Sequence, residues 1–202
     1  MQREIDDQLA ECNYAAHARD AIHDAVLYGT GVLKGPVPMF RTTKRWLEQD
    51  GNFTMSLERK PLPEAARVDL WNFFPDMSAT HIREVEFVFE RHFLTRQQLA
   101  DMQDMPDVDV DALRQVLGNE PGTVANSYRE RLRAINGTSG AKDNRYEVWE
   151  YHGPIEAADL MACGCDVEDD PLKTYTGIVW FAKGGTVLKA ALNPLDSNEH
   201  PY

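Results

Sequence analysis

The segment 29–36 limits what this chain can fold into more than any other. A helical pattern without interruption runs up to the sequence Gly29-Thr30-Gly31. Because glycine adopts positive φ without a Cβ penalty, we expect Gly29 to end the helix. Val32-Leu33 then favours an extended strand, and Gly35-Pro36 prevents a return to helix. We therefore expect one N-terminal helix followed by a β-rich body.

Residues 2–28 predict a single long helix. Apolar residues follow a pattern close to every three or four positions, at Ile5, Leu9, Cys12, Ala16, Ile22 and Val26, and the segment has no proline or glycine. At 1.5 Å per residue the helix would be about 40 Å long. Since its own turns cannot stabilise it, we expect it to pack on the β body or on a neighbouring subunit. The predicted domains are 1–30, the helix, and 31–202, the body.

The rest of the chain predicts hairpins separated by short helices. The predicted strands are 32–47, 52–59, 67–71, 83–93, 145–152, 174–183 and 186–192, with Lys60–Pro63 closing the first hairpin and a loop at 72–76. The predicted helices are 95–102, 107–117, 123–135 and 155–162. Turns at Asp50-Gly51 and Gly184-Gly185 are typical of hairpins, and Thr95 with Gln98 forms a capping box. This pattern favours an α+β fold with a mostly antiparallel sheet.

Alternating side chains predict which strand faces are buried. Phe53, Met55 and Leu57 alternate with polar residues, so we expect their side of the strand to be buried. Between residues 83 and 93, the apolar Val85, Phe87 and Phe89 alternate with acidic residues. We expect the acidic side, Glu84, Glu86 and Glu90, to face solvent.

Charge and cysteine content exclude several classes of function. The formal net charge is −12, with 33 acidic and 21 basic residues, which disfavours binding of nucleic acid over a broad surface. No apolar run reaches the roughly 20 residues of a membrane-spanning helix. Three cysteines form an odd and poorly spaced set, which favours a reducing, cytoplasmic setting.

Patterns for catalysis or metal binding are weak. The chain has no nucleophile elbow, phosphate loop, dinucleotide fingerprint or zinc-protease motif. Asp107-Val-Asp-Val-Asp111 lacks the glycine and the final glutamate of a calcium loop, so an acidic helix start is favoured. Glu147 and Glu150 would lie on opposite faces of a strand and make poor partners. The one basic concentration is Arg129, Arg131 and Arg133, near Arg145. It predicts a solvated helix face or an intersubunit salt-bridge surface more than a contact with nucleic-acid backbone. We therefore expect no enzyme and no cofactor or metal.

Five stretches in order carry a resemblance over nearly the whole chain. They are 13–36 with its Gly29-Thr30-Gly31 and Gly35-Pro36 corner, 68–76 with Phe74-Pro75-Asp76, 87–99, 146–150 with Trp149-Glu150, and the last hairpin leading to Leu195–Tyr202. In order and character they resemble the N-terminal region of phage portal (head-to-tail connector) proteins, particularly those of short-tailed phages. The order of the stretches carries this resemblance more than any one motif.

The resemblance implies both a fold and a role. The chain would be an N-terminal fragment covering the wing-like region, ending before the family's stem and clip. Portal proteins form rings of about twelve copies at one capsid vertex, through which DNA is packaged and ejected. The implied partners are copies of the chain, the terminase large subunit, tail adaptors, capsid or scaffold proteins, and DNA that passes without sequence-specific binding. The implied location is the virion, after assembly in the host cytoplasm, and no membrane is implied.

Two alternatives remain open at this point. One is a small metal-assisted enzyme that uses Cys163, Cys165 and His152. The other is a phage adaptor or scaffold-binding module, which would share the acidic and non-enzymatic character. We also predict that the fragment alone forms rings weakly or not at all.

Overall fold

The computed structural model describes residues 5, 7, 9, 10, 12–49, 52–121, 135, 144–168, 170, 172–193 and 200–202. Helices and mostly antiparallel strands are mixed in it, which confirms the α+β class. The chain forms two compact units, Met1–Trp71 with Pro201–Tyr202, and Asn72–His200. The domain boundary expected after residue 30 differs from this division and stays a prediction. Among the described residues, no helix is long and apolar enough to cross a membrane.

The first unit contains a helix followed by a long hairpin, and the described residues Ile5, Asp7, Leu9 and Ala10 before that helix are helical as well. Helix α1 spans Tyr14–Tyr28, strand β1 spans Val32–Gln49 and strand β2 spans Asn52–Val68. The two strands pair antiparallel along their whole length, which confirms the predicted hairpin. Its predicted turn at Asp50-Gly51 lies outside the described residues.

The predicted continuous helix over 2–28 is wrong. Helix α1 begins only at Tyr14, because Asn13 before it has φ 54 and lies in the left-handed region. A right-handed helix does not continue through such a residue, and asparagine tolerates this conformation better than most residues do. The helix therefore has 15 residues, about half of the expected length.

The predicted end of the second strand is also wrong. Lys60–Pro63 does not close the hairpin, and no separate strand forms at 67–71, because β2 continues to Val68. Pro61 and Pro63 remain in the ladder, opposite Phe40 and Pro38. In a two-stranded sheet each strand is an edge, so a proline without an N–H can face away from the ladder.

The Gly29-Thr30-Gly31 corner behaves as the sequence predicts. Gly29 has φ 82, and its N–H donates to the Ala25 carbonyl at 3.0 Å, which ends α1. A Cβ on Gly31 would lie 1.9 Å from the Ala21 carbonyl oxygen, so only glycine lets the chain pass this close to the helix. Thr30 between them is exposed.

Gly35-Pro36 marks an irregularity in β1 rather than its end. Gly35 has φ 138, and the strand register shifts between Lys34 and Val37. The Gly35 N–H donates to the carbonyl of Pro201 at 2.7 Å. This pair of residues therefore forms a bulge at which the end of the chain joins the first unit.

The second unit is a five-stranded antiparallel sheet with helices beside it. The strands, in spatial as well as sequence order, are β3 (Phe73–Pro75), β4 (Val88–Leu94), β5 (Tyr146–Glu156), β6 (Thr174–Ala182) and β7 (Val187–Leu192). The helices with described bounds are α2 (Arg96–Asp101), α3 (Val110–Gly118) and α4 (Ala157–Ala162), with 3-10 turns at Ile82–Glu84 and Met102–Asp104. A further 3-10 turn, Leu70–Asn72, covers the last residues of the first unit and the first residue of the second. The predicted capping box at Thr95 and Gln98 and the last hairpin are confirmed. The predicted helix 123–135 lies outside the described residues except for Ile135.

Two predictions for the start of this unit are wrong. Residues 72–76 are not simply a loop, because Phe73–Pro75 pairs with β4. The strand predicted from residue 83 begins at Val88, after a 3-10 turn at Ile82–Glu84. The order of the strands places β4 between β3 and β5, and pairing on both sides fixes where it begins and ends.

The hydrophobic core lies where α2 and α3 cover one end of the sheet. Its buried members are Leu99, Met102, Leu113, Val116, Tyr146, Val148, Ala182 and Leu188. Tyr146 and Val148 on β5 are two apart, and Ala182 on β6 is opposite Val148, so these three come from one face of the sheet. The same face continues along β4 and β5 to the site described next.

Candidate functional site

Two carboxylates and two imidazoles converge on the core face of the second unit's sheet. Glu90 and His92 come from β4, and Glu150 and His152 come from β5. Glu90 is directly opposite Glu150 in the register, and residues two apart on a strand share a face. We call these four residues the Glu–His cluster.

Glu150 is the centre of the cluster. Its Oε1 lies 2.7 Å from Nε2 of His152, and its Oε2 lies 2.9 Å from Nε2 of His92. Nε2 of His92 is also 3.8 Å from Oε1 of Glu90. Side-chain exposure ranges from 4% for His152 to 22% for His92. The cluster is therefore a mostly buried polar network, in which electrostatic interactions are stronger than at the surface.

An aromatic ring holds His92 in place. Trp180 on β6 stacks on the His92 imidazole, with ring centroids 4.8 Å apart and planes inclined by only 6°. Trp180 itself packs against the hydrophobic core. The orientation of His92 is thus set by the core as well as by Glu150.

The cluster has the donor atoms of a metal site. One ligand atom each from Glu90, His92 and Glu150 lie within 4.8 Å of one another. In the part of the chain that the structure describes, no other three histidine, cysteine, aspartate or glutamate side chains meet in this way. His152 contacts Oε1 of Glu150, the carboxylate oxygen that does not contact His92, and so extends the hydrogen-bond network.

The structure does not assemble the predicted set of Cys163, Cys165 and His152. His152 belongs to the Glu–His cluster, whereas Cys163-Gly164-Cys165 forms an exposed turn after α4 in which Gly164 has φ 87. The Cys165 thiol donates to the carbonyl of Ala190 at 3.5 Å. Burial, and then the neighbouring Cys163 and Asp107, raise the pKa of Cys165. Its thiol is thereby kept protonated, and a thiol must be deprotonated to bind a metal.

The two cysteines line a groove of about 790 Å³ on the second unit. Asp107 and Asp109 form part of its wall. Oδ1 of Asp109 accepts the N–H groups of Asp111 and Ala112, at 2.9 and 3.0 Å, and so caps α3. Asp109 is thus an acidic cap of α3, but the predicted helix start at Asp107 is wrong, because Asp107 has φ 61, Val108 pairs with Lys189 and the helix begins at Val110.

The Phe74-Pro75-Asp76 and Trp149-Glu150 motifs lie on two faces of the sheet. Phe74 packs on Trp149 with centroids 5.4 Å apart, and the Arg91 guanidinium lies over both rings. Glu150 points to the opposite face, into the Glu–His cluster. Asp76 directly follows β3. Hydrogen bonds from the backbone N–H and the hydroxyl of Ser78 lower the pKa of the Asp76 carboxyl.

The buried and exposed faces of β4 differ from those that the sequence predicts. Glu90, expected in solvent, is 8% exposed, whereas Phe89 is only half-buried. The reason is the register, which places Glu90 opposite Glu150 and Phe89 opposite Tyr151. Phe89 and Tyr151 belong to the aromatic face that also holds Trp149.

The hairpin of the first unit exposes an apolar surface. Trp46 on β1 pairs with Met55 on β2, and alternation places Phe53 and Leu57 on the same face. These four side chains, 46–68% exposed, are called the apolar arm face. The expected alternation of Phe53, Met55 and Leu57 is confirmed, but the expectation that the chain itself buries them is wrong. The two-stranded sheet has no second layer over this part of its described residues.

Sequence reasoning missed Glu90 and His92 as site residues. The signal that would have found them is a repeated Glu-x-His pattern, Glu90-Arg91-His92 and Glu150-Tyr151-His152. Spacing by two keeps both side chains on one face of a strand. Two such patterns on adjacent strands bring four polar groups together.

Comparison with known proteins gives no independent assignment. No protein-family model matches the chain, and no curated protein matches it. The function is therefore inferred from the geometry above and from the ordered resemblance.

Proposed function

We propose that this chain is a structural subunit of a phage portal ring, through which DNA is packaged and ejected. The observation that carries the proposal is the apolar arm face. A two-stranded hairpin is marginally stable in water by itself, and this one presents four large apolar side chains to solvent. Such a surface is typical of a protein that is completed by a partner.

Most of the large exposed apolar side chains of the arm lie on this one face, together with the charged Lys44 and Glu48. The other face carries Thr54, Ser56, the exposed Leu47 and an ion pair between Arg45 and Glu58 at 3.5 Å. Burying a large apolar side chain gives about 1.5–3 kcal/mol, so the four residues supply a substantial driving force against the cost of association. The partner is thus expected to cover one side of the arm and leave the polar side in water.

Helix α1 offers a second, different surface. Asp24 is buried and accepts a hydrogen bond from the Arg67 guanidinium of β2, which holds the helix on the hairpin and raises the pKa of Arg67. Ile22 and Val26, four residues apart, are on one side of the helix and exposed. A closed ring needs two different surfaces on each subunit, since the contacts run head to tail. The apolar arm face and this side of α1 are suited to those roles.

The charge of the chain agrees with a conduit. A net charge of −12 gives little attraction for the DNA backbone, and a channel that held phosphates tightly would resist movement of DNA. In this role the terminase supplies the energy, and the subunit supplies contacts with its copies, with the terminase and with tail adaptors. In this role three motifs would shape the fold and would not bind or convert a ligand. They are the glycines of the 29–36 corner, Phe74-Pro75-Asp76 and Trp149-Glu150.

The test places a charge on the apolar arm face. In the intact gene product that contains this chain, Phe53→Asp is expected to reduce the ring fraction in light-scattering mass measurements at least several-fold, because the buried contact would hold an unpaired carboxylate. Thr54→Asp on the other face of the same strand is the matched control and is expected to leave assembly unchanged.

Circular dichroism of both variants shows whether the subunit still folds. Assembly of the Phe53→Asp protein at the wild-type level would contradict a role for the arm in subunit contacts. A soluble, folded single-copy wild-type protein that captures a tail or scaffold partner would instead support the adaptor alternative.

A further inference from the structure

We propose that the Glu–His cluster binds one divalent transition-metal cation. Glu90, His92 and Glu150 would be the protein ligands, and His152 would be the outer partner of Glu150. The inference is independent of the portal proposal, because the cluster lies in the second unit and the apolar arm face lies in the first.

The distances between donor atoms suit a common ion. Ligands bound at 2.0–2.2 Å lie about 2.9–3.5 Å apart at tetrahedral or octahedral angles. Oε2 of Glu150 and Nε2 of His92 are already 2.9 Å apart. Oε1 of Glu90 is 3.8 Å from the same nitrogen and all three donor atoms lie within 4.8 Å of one another, so the Glu90 carboxylate would have to move closer for the three to hold one ion.

Charge favours a cation at this position. Glu90 and Glu150 are directly opposite each other on neighbouring strands, and both are buried. Like charges in such a pair are destabilising, and burial increases the cost of each. A divalent cation between the two carboxylates balances both charges at once.

The surrounding groups have the form of an outer coordination shell. Nε2 of His152 lies 2.7 Å from Oε1 of Glu150, and the other carboxylate oxygen, Oε2, is the one that lies beside Nε2 of His92. Trp180 stacks on His92 and fixes the plane of its ring. Partners of this kind orient metal ligands and are a regular part of metal sites.

The donor set indicates the class of ion. One imidazole with two carboxylates suits Zn²⁺, Mn²⁺ or Fe²⁺, whereas Ca²⁺ and Mg²⁺ prefer oxygen ligands alone. Two of the ligands are on β4 and one is on β5, both of them inner strands of the sheet. The bound ion would therefore cross-link β4 and β5, and its effect would appear in stability.

The first experiment measures binding to the wild-type chain. Untagged protein is stripped with a chelator and then titrated with Zn²⁺, Mn²⁺, Ca²⁺ or Mg²⁺. We expect one equivalent of Zn²⁺ or Mn²⁺ by elemental analysis and a rise in Tm of at least about 3 °C, with no effect of Ca²⁺ or Mg²⁺. Absence of both stoichiometric binding and a Tm shift would overturn the proposal.

The second experiment locates the ion. Glu90→Gln and His92→Gln are expected to lower affinity at least tenfold, whereas Glu147→Gln, on the other face of β5, is the matched control and leaves it unchanged. A Cys163→Ser/Cys165→Ser variant is expected to bind as wild type does. Loss of binding in that variant would assign the ion to the cysteines and overturn the proposal.

NMR of the imidazole nitrogens uses the wild-type chain, so it tests the site even if a variant fails to fold. In the wild-type chain, addition of Zn²⁺ is expected to shift Nε2 of His92 strongly and the nitrogens of the exposed His81 little. Stoichiometric binding with an unchanged His92 signal would place the ion elsewhere and overturn the proposed site.

Discussion

Glu147 and Glu150 are three positions apart on β5 and have different surroundings. Glu147 accepts a hydrogen bond from the Trp149 indole at 3.1 Å and pairs with Lys183 at 3.5 Å. Glu150 is on the buried face between His92 and His152. Alternation along the strand puts Glu147 and Glu150 on opposite faces of the sheet. The residue type alone therefore does not predict whether a glutamate is in the buried cluster, because that depends on the face of the strand on which it lies.

The two cysteines near α4 are expected to react at different rates. Cys163 is exposed, whereas Cys165 is partly buried and its pKa is raised, chiefly by burial. Since the thiolate is the nucleophile, alkylation of Cys165 should be slow near neutral pH and increase as the pH rises through the raised pKa. Mass spectrometry after short iodoacetamide pulses at several pH values measures both sites. Equal labelling of the two cysteines at neutral pH would contradict this assignment.

At the scale of elements, the capping box of α2 makes a measurable contribution. The Thr95 hydroxyl accepts the Gln98 N–H at 3.3 Å, and Oε1 of Gln98 accepts the Thr95 N–H at 2.9 Å. Thr95→Ala is expected to lower the free energy of unfolding by about 1 kcal/mol, because a backbone donor loses its partner. Urea denaturation measures the change. Thr95→Ser keeps the hydroxyl and should unfold close to wild type, so a similar loss in both variants would argue against the cap.

Elements with local signals could be predicted from the sequence. The end of α1 at Gly29, the capping box at Thr95 and the hairpin at Gly184-Gly185 each depend on a few adjacent residues, and all three are found as expected. The chemistry is local in each case, since it concerns a positive φ, a side chain bonded to its own backbone, or a tight turn.

Features that depend on distant residues could not be predicted in this way. Pro61 and Pro63 stay in β2 because β1 runs beside them, and Glu90 is buried because β4 pairs with β5. The break at Asn13 is a further case, since asparagine is also compatible with a helix interior. Half of the Glu–His cluster was missed for the same reason, because its members are about 60 positions apart and only strand pairing joins them.

At the scale of the whole molecule, stability is expected to come mainly from the core under α2 and α3. Leu113→Ala, at a buried position, should reduce the free energy of unfolding by about 2–5 kcal/mol through lost burial and the cavity that remains. Leu172→Ala, at a side chain that is 92% exposed, is the control and should be within about 0.5 kcal/mol of wild type. Thermal or urea unfolding separates the two outcomes. Comparable losses would mean that the core lies elsewhere.

The first unit has a different source of stability. In the described residues α1 covers part of the hairpin, no second sheet layer lies on it and its apolar arm face is exposed, so we expect a partner to bury that face. This is the physical basis for proposing an assembly subunit.

Electron microscopy of the intact gene product that contains this chain tests the portal proposal most directly. We expect closed rings of identical subunits around a central channel, with the apolar arm face covered by a neighbouring copy. Uniform single-copy particles over a wide range of protein and salt concentrations, with the arm exposed to solvent, would contradict it.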